Sequence, residues 1–185
     1  MKAKFLALLA ATAVAMAGCS TWQIGFLPIA AIKAQISTLD FEGSVTRATG
    51  AYSITSIAQT ITFQAASGSM GAVITGFEAK FEDQSGNSIG ATAVAQTLNQ
   101  SVAPGKTCDT TTGVCKFELG KVSDKATANL LSQEASLLFL QTAANRGVIP
   151  SGWRARITFF GINTNGVAFS WEEVQAIVCG KCSIN

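Results

Sequence analysis

Thr75-Gly76-Phe77-Glu78-Ala79-Lys80-Phe81-Glu82 is the stretch on which the fold class turns. Thr75, Phe77, Ala79 and Phe81 fall on one side of an extended chain. Gly76, Glu78, Lys80 and Glu82 fall on the other. A period of two places an apolar row against a core and a charged row towards water, which is the mark of a half-buried strand. Asp83-Gln84-Ser85-Gly86-Asn87 follows with residues that reverse a chain.

The same alternation recurs on both sides. Ile32, Ala34 and Ile36 alternate with Lys33, Gln35 and Ser37, and Ile61, Phe63 and Ala65 alternate with Thr60, Thr62 and Gln64. Cys115, Phe117 and Leu119 alternate with Lys116 and Glu118. Trp153, Ala155, Ile157 and Phe159 alternate with Arg154, Arg156 and Thr158. Tyr52 to Ile57 is a weaker strand. Asn163-Thr164-Asn165-Gly166 carries the Asn-Gly hairpin signal. With those four residues as the loop, Arg156 falls opposite Glu173 and Phe160 opposite Phe169. The apolar phase then shifts from Phe169 and Trp171 to Val174, Ala176 and Val178, which places a bulge at Glu172-Glu173. One segment, 124–146, is rich in Ala, Leu, Gln and Glu. Leu130, Leu131, Leu137, Leu138 and Gln141 match a helix, with Ser123 or Asp124 as cap and Gly147 and Pro150 as stop. A strand over Leu137–Gln141 is the competing assignment. Many short strands with few helices predict a mainly β protein, a two-layer antiparallel β-sandwich over residues 30–185 with one helix around 124–146.

The amino terminus has a separate character. Lys2 and Lys4 precede an uncharged apolar run from Phe5 to Ala17, and small residues lead to Cys19. This is the pattern of a secretory signal over residues 1–18. The run falls short of the ~20 residues that span a bilayer. Met16-Ala17-Gly18-Cys19 resembles the lipobox of bacterial lipoproteins, with Met16 in place of the usual Leu. The resemblance implies diacylglycerol on the Cys19 thiol, cleavage ahead of Cys19, acylation of the new amine and attachment to a membrane. Ser20, by the same resemblance, implies the outer membrane in a cell with two. Residues 19–29 then form a short lipidated tether, whose Trp22, Ile24, Phe26 and Leu27 either pack back on the domain or enter the lipid interface. The run from Val73 to Asn87 and the hairpin at Asn163–Gly166 resemble immunoglobulin-like or fibronectin type III-like domains of bacterial surfaces, from which the helix departs.

The chain carries 13 basic and 11 acidic residues. Lys2 and Lys4 belong to the expected leader, so the rest is balanced, and neither its net charge nor any basic cluster favours nucleic acid as a partner. There is no histidine. That excludes Ser-His and Cys-His nucleophile pairs and His-ligated metals. Cys108, Cys115, Cys179 and Cys182 form an even set for an oxidising compartment, where disulfides are the default. Three pairings exist. The short loops favour the two local bridges, and the crossed pairings would tie the last strand to the middle of the chain. Cys179-Gly180-Lys181-Cys182 also has redox-motif spacing, and four thiolates suit zinc; structural bridges are the preferred account of both.

Little else carries chemistry. Asp83, Ser85 and Asn87 are oxygen donors suited to calcium, but a plain turn explains them. Asp40 with Glu42, and Glu172 with Glu173, are carboxylate pairs of the kind used in acid-base catalysis, and adjacent exposed carboxylates are usually just solvated. Gly68-Ser69-Met70-Gly71 lacks the ending of a phosphate loop. Arg154, Arg156 and Thr158 on one strand face are the candidate partner-binding residues, for an envelope protein or glycan, with pairing to Glu173 as the simpler account. The expectation is a membrane-anchored envelope lipoprotein with a structural or binding, non-catalytic sandwich and no cofactor. The alternative is an extracytoplasmic carboxylate enzyme such as a glycan hydrolase.

Overall fold

A computed structural model describes residues 30–185. The signal at 1–18, Cys19 and the tether at 19–29 lie outside the described residues. Eleven strands and a helix follow in the order β1 (Ile32–Ile36), β2 (Leu39–Thr46), β3 (Ala51–Ser56), β4 (Gln59–Ala65), β5 (Ala72–Glu82), β6 (Val94–Val102), β7 (Lys106–Cys108), β8 (Cys115–Phe117), β9 (Ala126–Ala128), α1 (Gln133–Arg146), β10 (Arg154–Asn163) and β11 (Ala168–Ile184).

One layer is a six-stranded sheet in the order β3-β2-β11-β10-β5-β6, and three strands, β1-β4-β9, form the second sheet. All neighbours run antiparallel except β2 and β11, which are parallel. The chain therefore leaves the small sheet after β1 and enters the large one as β2. Alternation does what the sequence promised: Ile74, Phe77, Ala79 and Phe81 of β5, Ala155, Ile157 and Phe159 of β10, and Ile61, Phe63 and Ala65 of β4 are buried. Phe63 meets Phe159 edge-on at 5.3 Å between ring centroids, which joins the two layers.

The helix completes the cover. It packs on β2 and β3, beyond the reach of the small sheet. Gly43 makes this possible, because a Cβ there would lie 2.8 Å from Leu140 Cδ1. Phe139 stands edge-on to Phe41 at 5.4 Å and to Trp153 at 5.2 Å. The helix is shorter than the sequence predicts. Ala126–Ala128 pairs with β4 as a strand, Leu130 and Leu131 are buried in the approach, and the cap is Ser132, whose Oγ accepts from Ala135 N at 3.0 Å. Gly147 ends it in the left-handed region, φ 71°.

Two expectations about the closing hairpin are corrected. Arg156 lies opposite Val174, and Phe160 opposite Ser170, one residue from the expected register. The loop holds three residues, not four. Asn163 closes it as a strand residue, donating its N–H to Val167 O at 3.0 Å while its Oδ1 accepts from the N–H groups of Asn165 and Val167. Gly166 supplies the positive φ of 79° that such a loop requires. Nor is there a bulge at Glu172-Glu173, because the pairing with β10 runs unbroken from Ala168 to Ala176. The irregularity lies further on, between Cys179 and Lys181. Val174, Ala176 and Val178 consequently face outward, where they are exposed.

The Phe139→Ala substitution should cost about 3–5 kcal/mol, since it empties the contact between helix, β2 and Trp153. Chemical denaturation reads this directly. A midpoint unchanged from wild type would show that the helix does not close the core.

Candidate functional site

The outward face of β10 holds the three residues singled out from sequence, and the fold brings β5 and β11 to flank them. Arg154 sits opposite Glu82, Arg156 opposite Lys80, and Thr158 between Glu78 and Glu172. Glu82 is the hub. Arg154 Nε donates to its Oε2 at 3.0 Å, and Arg156 Nε donates to its Oε1 at 2.8 Å. Arg156 also reaches Glu172 Oε2 through a terminal nitrogen at 3.1 Å. The expected partner, Glu173, is not used, since it lies on the opposite face of β11. The hydrogen bonds from Arg156 hold the Glu82 carboxyl below the usual range against the opposing effect of burial, and Arg154 adds to this. Arg156 is held protonated more firmly in return. The two guanidinium groups are thus spent largely within the sheet.

The other half of this face is neutral, and sequence reading passed over it. Ile162 stands opposite Val73, and Phe160 borders a shallow trough of about 390 Å³ over Gly76. Gly76 allows the neighbouring strand to come close, as a Cβ there would lie 2.8 Å from Gln96 O. The signal was present in Phe159-Phe160-Gly161-Ile162, which is apolar in both phases of the strand.

The remaining candidates are absorbed by the fold. Asp83 Oδ1 accepts from the N–H of Ser85 at 2.8 Å and of Asn87 at 2.9 Å. Those backbone bonds, led by Asn87, keep its carboxyl below the usual range. Asp40 accepts from Gly180 N at 2.6 Å, and Glu42 pairs with Lys181 at 2.7 Å. The depression of about 320 Å³ between the Asp83 turn and the helix has Asp83 as its one carboxylate. That beside β7 and β8 has Asp109, whose Oδ1 accepts from Thr111 N and Thr112 N. Among the described residues no group of three or more His, Cys, Asp or Glu is placed to hold a metal.

The cysteines join locally. Cys108 and Cys115 face each other across β7 and β8 with their Cα atoms 4.0 Å apart and are bonded. Cys179 and Cys182 are bonded across the irregularity in β11, with Cα atoms 5.6 Å apart. Four thiolates are therefore not gathered for zinc, and the Cys179 pair sits within a strand, away from the helix terminus on which redox motifs depend.

No family model matches the chain, and no curated protein matches it significantly. Among solved structures it is similar to a protein described as ApaA from Bordetella pertussis, at 11% identity over 81% of this chain and 98% of that one, with a TM-score of 0.32. A likeness this loose carries no argument about fold or function.

Two outcomes follow from the geometry. Glu82 titrates lower folded than unfolded, so its stabilisation is complete above about pH 4.5 and fades as pH falls through the folded value. Glu82→Gln should therefore be less stable than wild type at neutral pH, and the gap should narrow in acid. A gap constant with pH in thermal melts would refute the charge pairing. Non-reducing peptide mapping should recover the 108–115 and 179–182 bridges, and removing the first should cost on the order of 2–3 kcal/mol. Recovery of a crossed bridge would contradict the register of β7 and β8.

Proposed function

We propose that this chain is a bacterial envelope lipoprotein, anchored by lipid on Cys19, whose β-sandwich has a structural or binding role. The observation that carries the reading is the run from Lys2 through Met16-Ala17-Gly18-Cys19. Two or more acyl chains at ~0.8 kcal/mol per buried methylene make attachment stable with no transmembrane helix. Ser20, by resemblance to other lipoproteins, supports the outer membrane of a two-membrane cell as the site of the anchor. The paired charges around Glu82 and the backbone-saturated Asp83 and Asp109 support a non-catalytic role, because each carboxylate is occupied in holding the fold. An envelope protein or glycan then docks on the outward sheet face around Arg154, Arg156 and Thr158. That face turns away from the core and sets the paired charges of Arg154, Arg156, Glu82 and Glu172 beside a neutral apolar half.

The anchor and the face are tested apart. Cys19→Ser should abolish palmitate labelling and leave the precursor uncleaved; equal labelling of the two chains would end the lipoprotein reading. On the face, Thr158→Arg places a long cation between Glu78 and Glu172. It should leave the melting temperature unchanged or raised while lowering recovery of the envelope partner in crosslinking. A purified chain that hydrolyses glycan or peptide, and stops when one Asp or Glu becomes its amide, would replace the binding role with an enzyme.

A further inference from the structure

The long last strand changes partner halfway along. Ala168 to Ala176 of β11 pair with β10, and Ile177 to Ile184 pair with β2. β2 begins at Leu39, opposite Ile177. On the side away from β10, the stretch 168–176 therefore has no strand beside it among the described residues, and no backbone bond joins that side to them. It contains no proline. Such an edge is a template for one more strand.

The side chains mark the same gap. Ala155, Ile157 and Phe159, on the inner face of β10, are wholly buried. Phe169, Trp171, Glu173 and Gln175, on the inner face of β11, are only half-buried. Trp171 Nε1 is buried with no acceptor, another sign that a neighbour belongs there. The opposite layer gives no cover on this side either. β9 contacts β6, so β1 is the margin of the small sheet nearer β11, and β1 has β4 as its one partner.

The chain ahead of Ala30 arrives beside this edge. Ala31 O accepts from Ala66 N, Ala66 O accepts from Ser69 N, and Gly71 O accepts from Thr164 N. These bonds set the start of β1 at the end of the sandwich where the β10–β11 loop delivers Ala168. In the segment itself, Trp22, Ile24 and Phe26 alternate with Gln23 and Gly25, and Pro28 follows. That is the period of a half-buried strand with a residue that ends pairing.

We infer that residues 22–26 form one more strand of the large sheet, antiparallel to the first half of the 168–176 edge, with Trp22, Ile24 and Phe26 turned inward over Phe169 and Trp171. The direction follows from the route, since the segment must run towards the Ala168 end to reach Ala30. Residues 27–29 then cross between the layers: three residues at ~3.3 Å each match the ~10 Å between packed sheets. The segment carries no charge to set against Glu172 and Glu173. The inference goes beyond the lipoprotein reading and holds with or without lipid on Cys19. With lipid there, only Ser20 and Thr21 separate the anchor from the folded body.

Two measurements on the full chain test this. A photo-crosslinking phenylalanine at position 24 should join residues 168–175 or 32–36 of the same chain, as read by peptide mapping. Adducts to phospholipid, to another protein or to other parts of this chain, or no adducts, would overturn the inference. The second measurement is amide hydrogen exchange along β11. In a ladder either residue 23 or residue 24 turns its N–H to the neighbouring strand, so replacing both by proline, Gln23→Pro with Ile24→Pro, breaks the pairing in any register. Alternate amides between 168 and 175, those turned away from β10, should then exchange faster by about tenfold or more, while the amides bonded to β10 stay slow. Thr21→Pro, ahead of the strand, should leave all of them unchanged. Equal exchange in wild type and the double-proline chain would show that nothing pairs with this edge through residues 22–26.

Discussion

A sheet with one apolar face must be covered across its whole width, and here three strands are set against six. The small sheet covers the middle and one side, where Phe63 meets Phe159 and Trp171. The side formed by β2 and β3 is left to the helix. Its approach depends on a missing side chain at Gly43, which lets Leu140 come against the strand backbone. Phe41, Phe139 and Trp153 then form one edge-on cluster binding helix, sheet and the start of β10. The helix has little amphipathic drive of its own, so its position comes from this tertiary seat and from the Ser132 and Gly147 caps.

The legible parts of the fold were those in which one side-chain pattern answers to one neighbour. β1, β4, β5 and β10 are read from alternation alone, and each has a core on one face and water on the other. β2, β6, β7 and β9 were not singled out. β6 mixes Val94 and Leu98 with Gln, Thr and Ser on an edge where both faces are partly wet. β9 has only three residues, too few to show a period. The two clearest failures share a cause. Val174, Ala176 and Val178 looked like an inward row because they are apolar, and so did Phe117 and Leu119. Apolar character identifies an inner face only where the outer face is polar.

At the outward face the types of residue were legible and their partners were not. Arg154 and Arg156 were visible as a pair. Glu82 and Glu172 reach them from two different strands, and the order of strands in a sheet leaves no mark in local sequence. One step of register exchanged Glu173 for Val174 opposite Arg156, and a three-residue loop in place of a four-residue one was sufficient to cause it. The proposed anchor rests on Met16 to Cys19, ahead of the described residues, where a short motif is read without tertiary context.

The parallel pair of β2 and β11 sets the order in which the fold is completed. Leu39 finds its partner only at Ile177, and Arg47 N donates to Asn185 O at 2.7 Å. Synthesis runs from the amino end and delivers β2 long before β11. During that interval β2 pairs with β3 alone, and its second edge is an open template for any passing strand. The entropy of closing so long a loop is charged before any of its contacts form. The hairpins must therefore gather first, and the sheet is sewn shut from its far end. The Cys179–Cys182 bridge sits at that seam, where Gly180 steps aside to bond Asp40. The bridge closes within β11 alone, so it holds the local irregularity at Gly180 in shape, and the pairing with β2 on either side is left to the backbone ladder.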